Sequence, residues 1–325
     1  MQTNTYRDNA NIKRDGVEMG LTEYQLEEYV KCTNSADYFI SNYIKIISLN
    51  EGLVYFKPYS YQKEMFKHFE ENRFSIMLAC RQSGKSIGCC AYLLWCAMFK
   101  PDTKIGVLAN KGATAREMIA RITLMLENVP FWLQPGCKTC NKSTIEFSNL
   151  SLIMSAATSS DSIRGYTFDL IYLDEFAFVN NAGTFYTSTY PVISAGDKSK
   201  VIITSTANGV GNMFHKIWES AIQGVSGYKP MRVDWWDVPG RDEAWKKETI
   251  SNTSALQFEQ EFGNCLRSNS QVTISINNSI ATIRIGDLYE CIRRRDTSGL
   301  PPEEEIRLKA IHWYHNEKAF REKNV

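Results

Sequence analysis

At 325 residues the chain is long enough for two domains, or for one large domain with additions. Hydrophobic residues make up 43% and charged residues 22%, which supports a buried core and excludes a disordered, collagen-like or coiled-coil chain. Lys and Arg number 37 against 36 Asp and Glu, a net charge of +1, so no overall basic field points to nucleic acid and any such contact is local or transient.

The nine cysteines are too sparse for a disulfide scaffold and their number is odd. Cys89, Cys90 and Cys96 share one apolar stretch, which suits buried, reduced thiols in a cytosolic compartment. The longest apolar run, Ile87–Phe99, falls short of the roughly 18 residues that suggest a membrane span. The N-terminus is polar and mixed in charge, with no apolar signal core, so a soluble protein that is not exported is expected.

In chain order, residues 1–55 read as a helical arm. Leu21, Tyr24, Leu26, Tyr29 and Val30 space as one helix face, and Tyr38, Phe39, Tyr43 and Ile44 as another. Apolar runs at 74–79, 104–109, 169–174 and 200–206 predict buried strands, and 144–156 predicts two strands around Ser148-Asn149. Helices are expected over 85–99, 113–129 and 211–224, with a strand and turn leading into another helix over 232–245. Strands alternating with helices imply an α/β fold with a mainly parallel sheet covered on both faces. The domains expected are a core over 56–225, a lid or linker over 226–264, and a β-rich appendage over 265–325 that ends in a charged helix.

The sharpest motif is Ala79-Cys80-Arg81-Gln82-Ser83-Gly84-Lys85-Ser86, a P-loop in which Ala replaces the first Gly. It lies between an apolar strand and a long helix, the context the motif needs. Loop amides cradle polyphosphate oxygens, Gly84 allows close approach, Lys85 reaches the terminal phosphates and Ser86 holds Mg²⁺. Gln82 and Ser83 belong to the same cradle, and Arg81 is placed to add cationic charge in cis.

Downstream, LIYLDEFAF (170–178) is an apolar strand ending in Asp174-Glu175. An acid at the strand's end holds the metal and the next one acts as the base for water, so Asp174 is expected on Mg²⁺ and Glu175 as the base. Together the two motifs predict a P-loop NTPase of the additional-strand, catalytic-glutamate type that uses ATP and Mg²⁺.

Upstream, Tyr61 and Gln62 are either an adenine-reading pair or an ordinary helix start. Thr204, Ser205 and Thr206 end a strand, as γ-phosphate sensors or simply as β-formers. Arg164 is either a finger delivered in trans or plain surface. The single pair Cys137 and Cys140, in a turn after Pro135-Gly136, lacks the partners a zinc site needs and is expected to be loop chemistry only.

The set CRQSGKS (80–86), IYLDEFAF (171–178), ITSTANG (203–209) and SALQFEQEF (254–262) resembles the ATPase half of the large terminase subunit of tailed bacteriophages. That family forms the motor that packages genomic DNA into the prohead. The resemblance spans roughly Tyr38 to Asn264 and includes VLANKGATA (107–115) and SIRGYTFD (162–169). It implies catalytic roles for Glu175, Arg81 and Lys85, an adenine role for Tyr61-Gln62 and a coupling role for 204–206. It also implies double-stranded DNA, the portal or prohead and a small terminase subunit as partners, in the host cytoplasm. A helicase-like motor shares both the P-loop and the acidic strand but carries further arginine motifs that are not visible here.

The family's RNase H-like nuclease is not visible after Asn264, so no nuclease activity is expected of this chain. The segment from Cys265 resembles instead the first block of an intein, with Ile283–Glu290 as a later block. That resemblance implies Cys265 as a splicing nucleophile attacking the Asn264 carbonyl. It also implies a C-terminal split-intein or nuclease partner chain, without which the product is an inert precursor.

Overall fold

The computed structural model describes residues 4–7, 9–48, 50–158, 167–187, 199–209, 211–263, 271–276 and 279–284. The expected roles of Arg164 and Cys265, and the charged helix after residue 303, fall outside these residues.

Two strands, β1 (Thr5–Tyr6) and β2 (Asn9–Lys13), pair antiparallel ahead of helices α1 (Glu23–Asn34) and α2 (Ala36–Tyr43). A second hairpin follows, β3 (Lys45–Ser48) and β4 (Gly52–Tyr55), then helix α3 (Ser60–Glu71). The α/β core contains β5 (Phe74–Ala79), α4 (Lys85–Phe99), β6 (Lys104–Ala109) and α5 (Gly112–Glu127). It continues with β7 (Cys137–Cys140), β8 (Thr144–Phe147), β9 (Leu152–Ala157), β10 (Leu170–Asp174) and β11 (Lys200–Ser205). Helix Met213–Ile222 leads into β12 (Lys229–Val233), and helices Glu243–Asn252 and Ala255–Glu261 follow. An antiparallel pair, β13 (Gln271–Ile276) and β14 (Ser279–Arg284), gives the appendage the β character expected of it.

Eight strands form one sheet in the order β12-β5-β11-β10-β6-β9-β8-β7. Pairings from β12 through β9 are parallel; β8 and β7 add an antiparallel edge. β11 therefore lies between the P-loop strand β5 and the acidic strand β10. This is the inserted strand of the additional-strand class, and it brings Thr204 and Ser205 between the two motifs. The sheet also reaches into the segment assigned to the lid, because β12 pairs with β5 along its length.

Alternation in each strand divides the core in two. Met77 and Ala79 of β5, Tyr172 of β10 and Ile202 of β11 face one cluster, with α3, α4 and α5. Ile76, Leu78, Ile171, Leu173, Val201 and Ile203 face the other, with helix Met213–Ile222. α4 is buried on all sides from Gly88 to Phe99, as an apolar helix roofed by α3 and α5 must be. Cys89, Cys90 and Cys96 lie within it as buried free thiols.

Three expectations are corrected. Residues 5–13 and 45–55 form hairpins rather than a helical arm. The apolar face expected of α1 is turned outward: Tyr24 is 65% exposed, Leu26 55% and Val30 50%. The helix buries Glu28 and Cys32 instead. Glu28 tolerates burial because Lys31 and the Tyr38 and Tyr43 hydroxyls all bond its carboxylate, holding its pKa down at about 2. Third, Cys137–Cys140 is a sheet strand and not a turn.

Candidate active site

Between β5 and α4 the chain makes a tight loop in which Gln82 (φ 55°) and Gly84 (φ 89°) are left-handed. A Cβ on Gly84 would stand 3.0 Å from the Gln62 amide, so conformation and packing both favour glycine there. Four successive loop carbonyls are held from outside. Arg241 donates to Arg81 O at 3.1 Å and Gln82 O at 2.8 Å, the Tyr61 hydroxyl donates to Ser83 O, and the Gln62 amide donates to Gly84 O at 3.0 Å.

With the carbonyls turned outward, the amides of Gln82, Ser83, Gly84 and Lys85 find no acceptor among the described residues. They join the free N-terminus of α4 to form an anion cradle. The Ser83 hydroxyl, buried there without a partner, adds an unused donor.

Across from the cradle, β10 delivers Asp174 and then Glu175, whose φ of 49° is a strained value for a non-glycine residue. The Lys85 ammonium donates to Glu175 Oε1. Burial works against the Lys85 charge, but the carboxylates of Asp174 and Glu175 outweigh it and raise the pKa. Burial likewise opposes Glu175's charge, yet Lys85 and Thr206 bring its pKa below the usual carboxylate value. The pair is therefore ionised on both sides at neutral pH.

Thr206 bonds Glu175 Oε2 through its amide at 3.1 Å and its hydroxyl at 3.2 Å, and the Ser205 hydroxyl donates to the same oxygen at 3.3 Å. Asp174 Oδ1 accepts from Thr204 at 3.1 Å, from Tyr172 at 2.8 Å and from Ser86 at 3.4 Å. All three residues of the 204–206 strand end thus touch the two acids. A hydroxyl and a carboxylate that face each other, as Ser86 and Asp174 do, form a hard-oxygen pair suited to Mg²⁺.

A cleft of about 610 Å³ opens at this end of the sheet, lined among others by Arg81, Asn110, Lys111, Asp174, Glu175 and Thr206. Arg81 lies at its rim and pairs with Glu261. Tyr61 and Gln62 lie beneath the loop, and the Gln62 amide is used at both ends, because its Oε1 accepts from Tyr59 N at 2.8 Å.

Several residues of the site had no role assigned to them from the sequence, although Tyr172, Glu261 and Lys111 lie inside the matching segments and only Arg241 lies outside them. Tyr172 links Asp174 to Thr204, its hydroxyl 2.9 Å from the threonine's. Arg241 clamps the loop while stacked 4.8 Å over Trp245 and 5.3 Å over Phe262. Glu261 holds Arg81, and Lys111 lines the cleft just beyond β6. Only Lys111 had a usable signal: it follows a strand's C-terminal end, where open α/β sheets bind ligands.

Solved structures share this fold at low identity. A variant of the large terminase ATPase domain of Thermus phage P74-26 superposes with a TM-score of 0.50 at 19% identity, covering 65% of this chain and 95% of that one. The large terminase of bacteriophage HK97 gives 0.60 at 13% identity, covering 72% of this chain and 55% of that one. The large terminase of a thermophilic bacteriophage, solved in complex with ADP, gives 0.54 at 14% identity, with coverages of 67% and 55%. The chain thus spans about half the length of these last two terminases. The model of the family described as terminase large subunit, T4-like virus type, N-terminal, matches residues 76–273. That match runs through Cys265, and nothing in the comparisons supports an intein fragment there. With well over half of its length matched, the chain belongs to the terminase large subunit family, through that family's N-terminal domain.

Proposed function

We propose that this chain is the ATP-hydrolysing part of a phage DNA-packaging motor. The observation that carries the reading is the meeting of the two motifs: Lys85 pairs with Glu175 and Ser86 bonds Asp174, and the two acids line the cleft. The reaction is the in-line attack of water on the terminal phosphorus of ATP, giving ADP and phosphate.

The loop amides bind the phosphate oxygens, and Lys85 leaves Glu175 to follow the terminal phosphate. Glu175, released from the ammonium but still bonded by Thr206, orients the water and accepts its proton. Mg²⁺, held by Ser86 and Asp174, would supply positive charge to the phosphates. Arg81 adds charge in cis once it leaves Glu261. Tyr61 and Gln62, which hold the loop carbonyls, are assigned to the adenine end of the nucleotide, and Arg164 is assigned to reach the nucleotide of a neighbouring subunit.

Thr204, Ser205 and Thr206 contact both acids, which supports a role in transmitting the state of the phosphate to the rest of the motor. Residues 56–225 form the core of this reading, flanked by 1–55 and 226–264. Double-stranded DNA, the portal and a small terminase subunit are the partners it implies, all met in the host cytoplasm. Among the described residues no helix is long and apolar enough to cross a membrane.

The test is phosphate release from the purified chain with Mg-ATP. Turnover that disappears in Lys85→Ala supports the reading, and equal background in both proteins refutes it.

A further inference from the structure

Cys137 and Cys140 have no part in the nucleotide cleft. β7 lies six strand spacings from β5, roughly 29 Å at about 4.8 Å per strand. In a regular strand, residues three apart point to opposite faces and stand about 10 Å apart. Here the register breaks. Cys137 pairs with Phe147, but Thr139 pairs with Glu146 and Cys140 with Ile145, so one extra residue of β7 is bulged out.

The two cysteines therefore lie opposite residues only two apart on β8. That places both on one face, with Cα atoms separated by roughly 6.8 Å, the rise of two residues. The separation is at the upper edge of the roughly 4.4–6.8 Å range that a disulfide spans. Ile145 and Phe147 are fully buried, so this is the inner face, where the Cys140 thiol also meets the Thr123 hydroxyl of α5 at 3.9 Å.

The pair is asymmetric. Cys137 is 1% exposed, whereas Cys140 is half-buried and lines a pocket of about 520 Å³ with Tyr6, Arg7 and residues 9–12. Tyr6 also fixes the Cys140 backbone, accepting from its N–H at 3.1 Å.

We infer that Cys137 and Cys140 form a reversible dithiol site that reacts with a small anionic disulfide entering beside Arg7. The Cys140 thiolate attacks one sulfur of the disulfide, and one thiolate leaves and takes a proton. The Cys137 thiol gives up its proton and attacks the Cys140 sulfur, expelling the second thiolate. Two electrons pass to the small disulfide, which becomes two thiols, and one Cys137–Cys140 bond remains.

The electrostatics favour this order. The neighbouring Cys137 thiol and the Thr123 hydroxyl bring Cys140 below the usual thiol value, while the nearby Cys140 and burial push Cys137 up. The other charges facing the pair are Glu127 of α5 and Glu146 of β8, which raise thiol pKa values. Arg7 stands on the pocket wall.

The test uses the full chain and glutathione disulfide, and does not depend on ATP turnover. Iodoacetamide labelling with peptide mapping should show Cys140 alkylating with a midpoint below the roughly 8.5 of a free thiol. Equilibration in glutathione buffers should place one disulfide between 137 and 140, reversed by dithiothreitol. Cys137→Ser should trap a mixed disulfide on Cys140, and Cys140→Ser should leave Cys137 unmodified. A Cys140 midpoint at 8.5 or above in the unmutated chain overturns the inference, as does a glutathione adduct on other cysteines with none at 140. Because the labelling needs no variant, it decides the matter even where a serine substitution unfolds the chain.

Discussion

Lys85 and Glu175 form an ion pair across the cleft, one from the first turn of α4 and the other from the residue after β10. In the proposed mechanism these are the phosphate-binding ammonium and the water-activating carboxylate, and each neutralises the other before nucleotide enters. Lys85→Ala removes the cradle's ammonium and leaves the half-buried Glu175 without its cationic partner. We expect turnover to fall by about 10²–10³-fold, the usual loss for a charge-stabilising donor. Steady-state phosphate release measures it.

The pH dependence of that pair has a definite sign. Glu175 is depressed, so its contribution to stability is full above 4.5 and is lost as pH falls through its lower folded value. Lys85 is raised, so its contribution is full below 10.5 and is lost as pH rises through its higher folded value. Between those limits the pair does not titrate. Stability profiles of the unmutated chain and the double variant Lys85→Met/Glu175→Gln should run parallel from pH 6 to 9, and a divergence there rejects the assigned charges.

Arg241 should matter although it lies outside every recognised motif. Its two bonds to the Arg81 and Gln82 carbonyls turn the loop amides inward. Arg241→Ala is expected to weaken nucleotide binding by roughly tenfold or more, from hydrogen bonds worth about 1.5–3 kcal/mol each when charged. Arg241→Lys, which keeps the charge but loses the fork, should recover only part of it. Calorimetric titration with a non-hydrolysable ATP analogue gives the affinities.

Tyr172→Phe removes a fully buried hydroxyl bonded to Asp174 and Thr204, while Thr204 keeps its own bond to Asp174. The expected loss of stability is about 1–3 kcal/mol, read from a urea midpoint. The Mg²⁺ concentration for half-maximal turnover should rise as Asp174 loses its fixed position.

His215 gives an acid-side signature. Burial and Lys216 lower its pKa from 6.5 to about 4, so its contribution is full above 6.5 and declines as pH falls toward 4. Stability should drop by about 1 kcal/mol between pH 7 and 5.5, and His215→Gln should flatten that slope. Glu219, raised by burial, acts in the opposite sense at lower pH.

The core and the cleft were legible where the signal was contiguous. The apolar run 74–79, the glycine-lysine turn and the buried helix 85–99 announce one another, and each forms over those same residues. So does the strand that ends in Asp174. What was hidden depends on distant partners. Glu28 can be buried on α1 only because Tyr38 and Tyr43 come from the next helix, and no periodicity in 21–30 reveals that. Arg241 reaches the loop across a sequence separation of 160 residues. The bulge that brings Cys137 and Cys140 to one face is a property of pairing with β8, invisible in the four letters CKTC.

Whether Glu175 activates the attacking water is decided most directly by quench-flow with γ-labelled ATP on Glu175→Gln. The variant should bind Mg-ATP at least as tightly as the unmutated chain, because Lys85 no longer has a competing carboxylate. Phosphate formation should slow by about 10²–10⁴-fold. Phosphate formed at the unmutated rate would rule out Glu175 as the base.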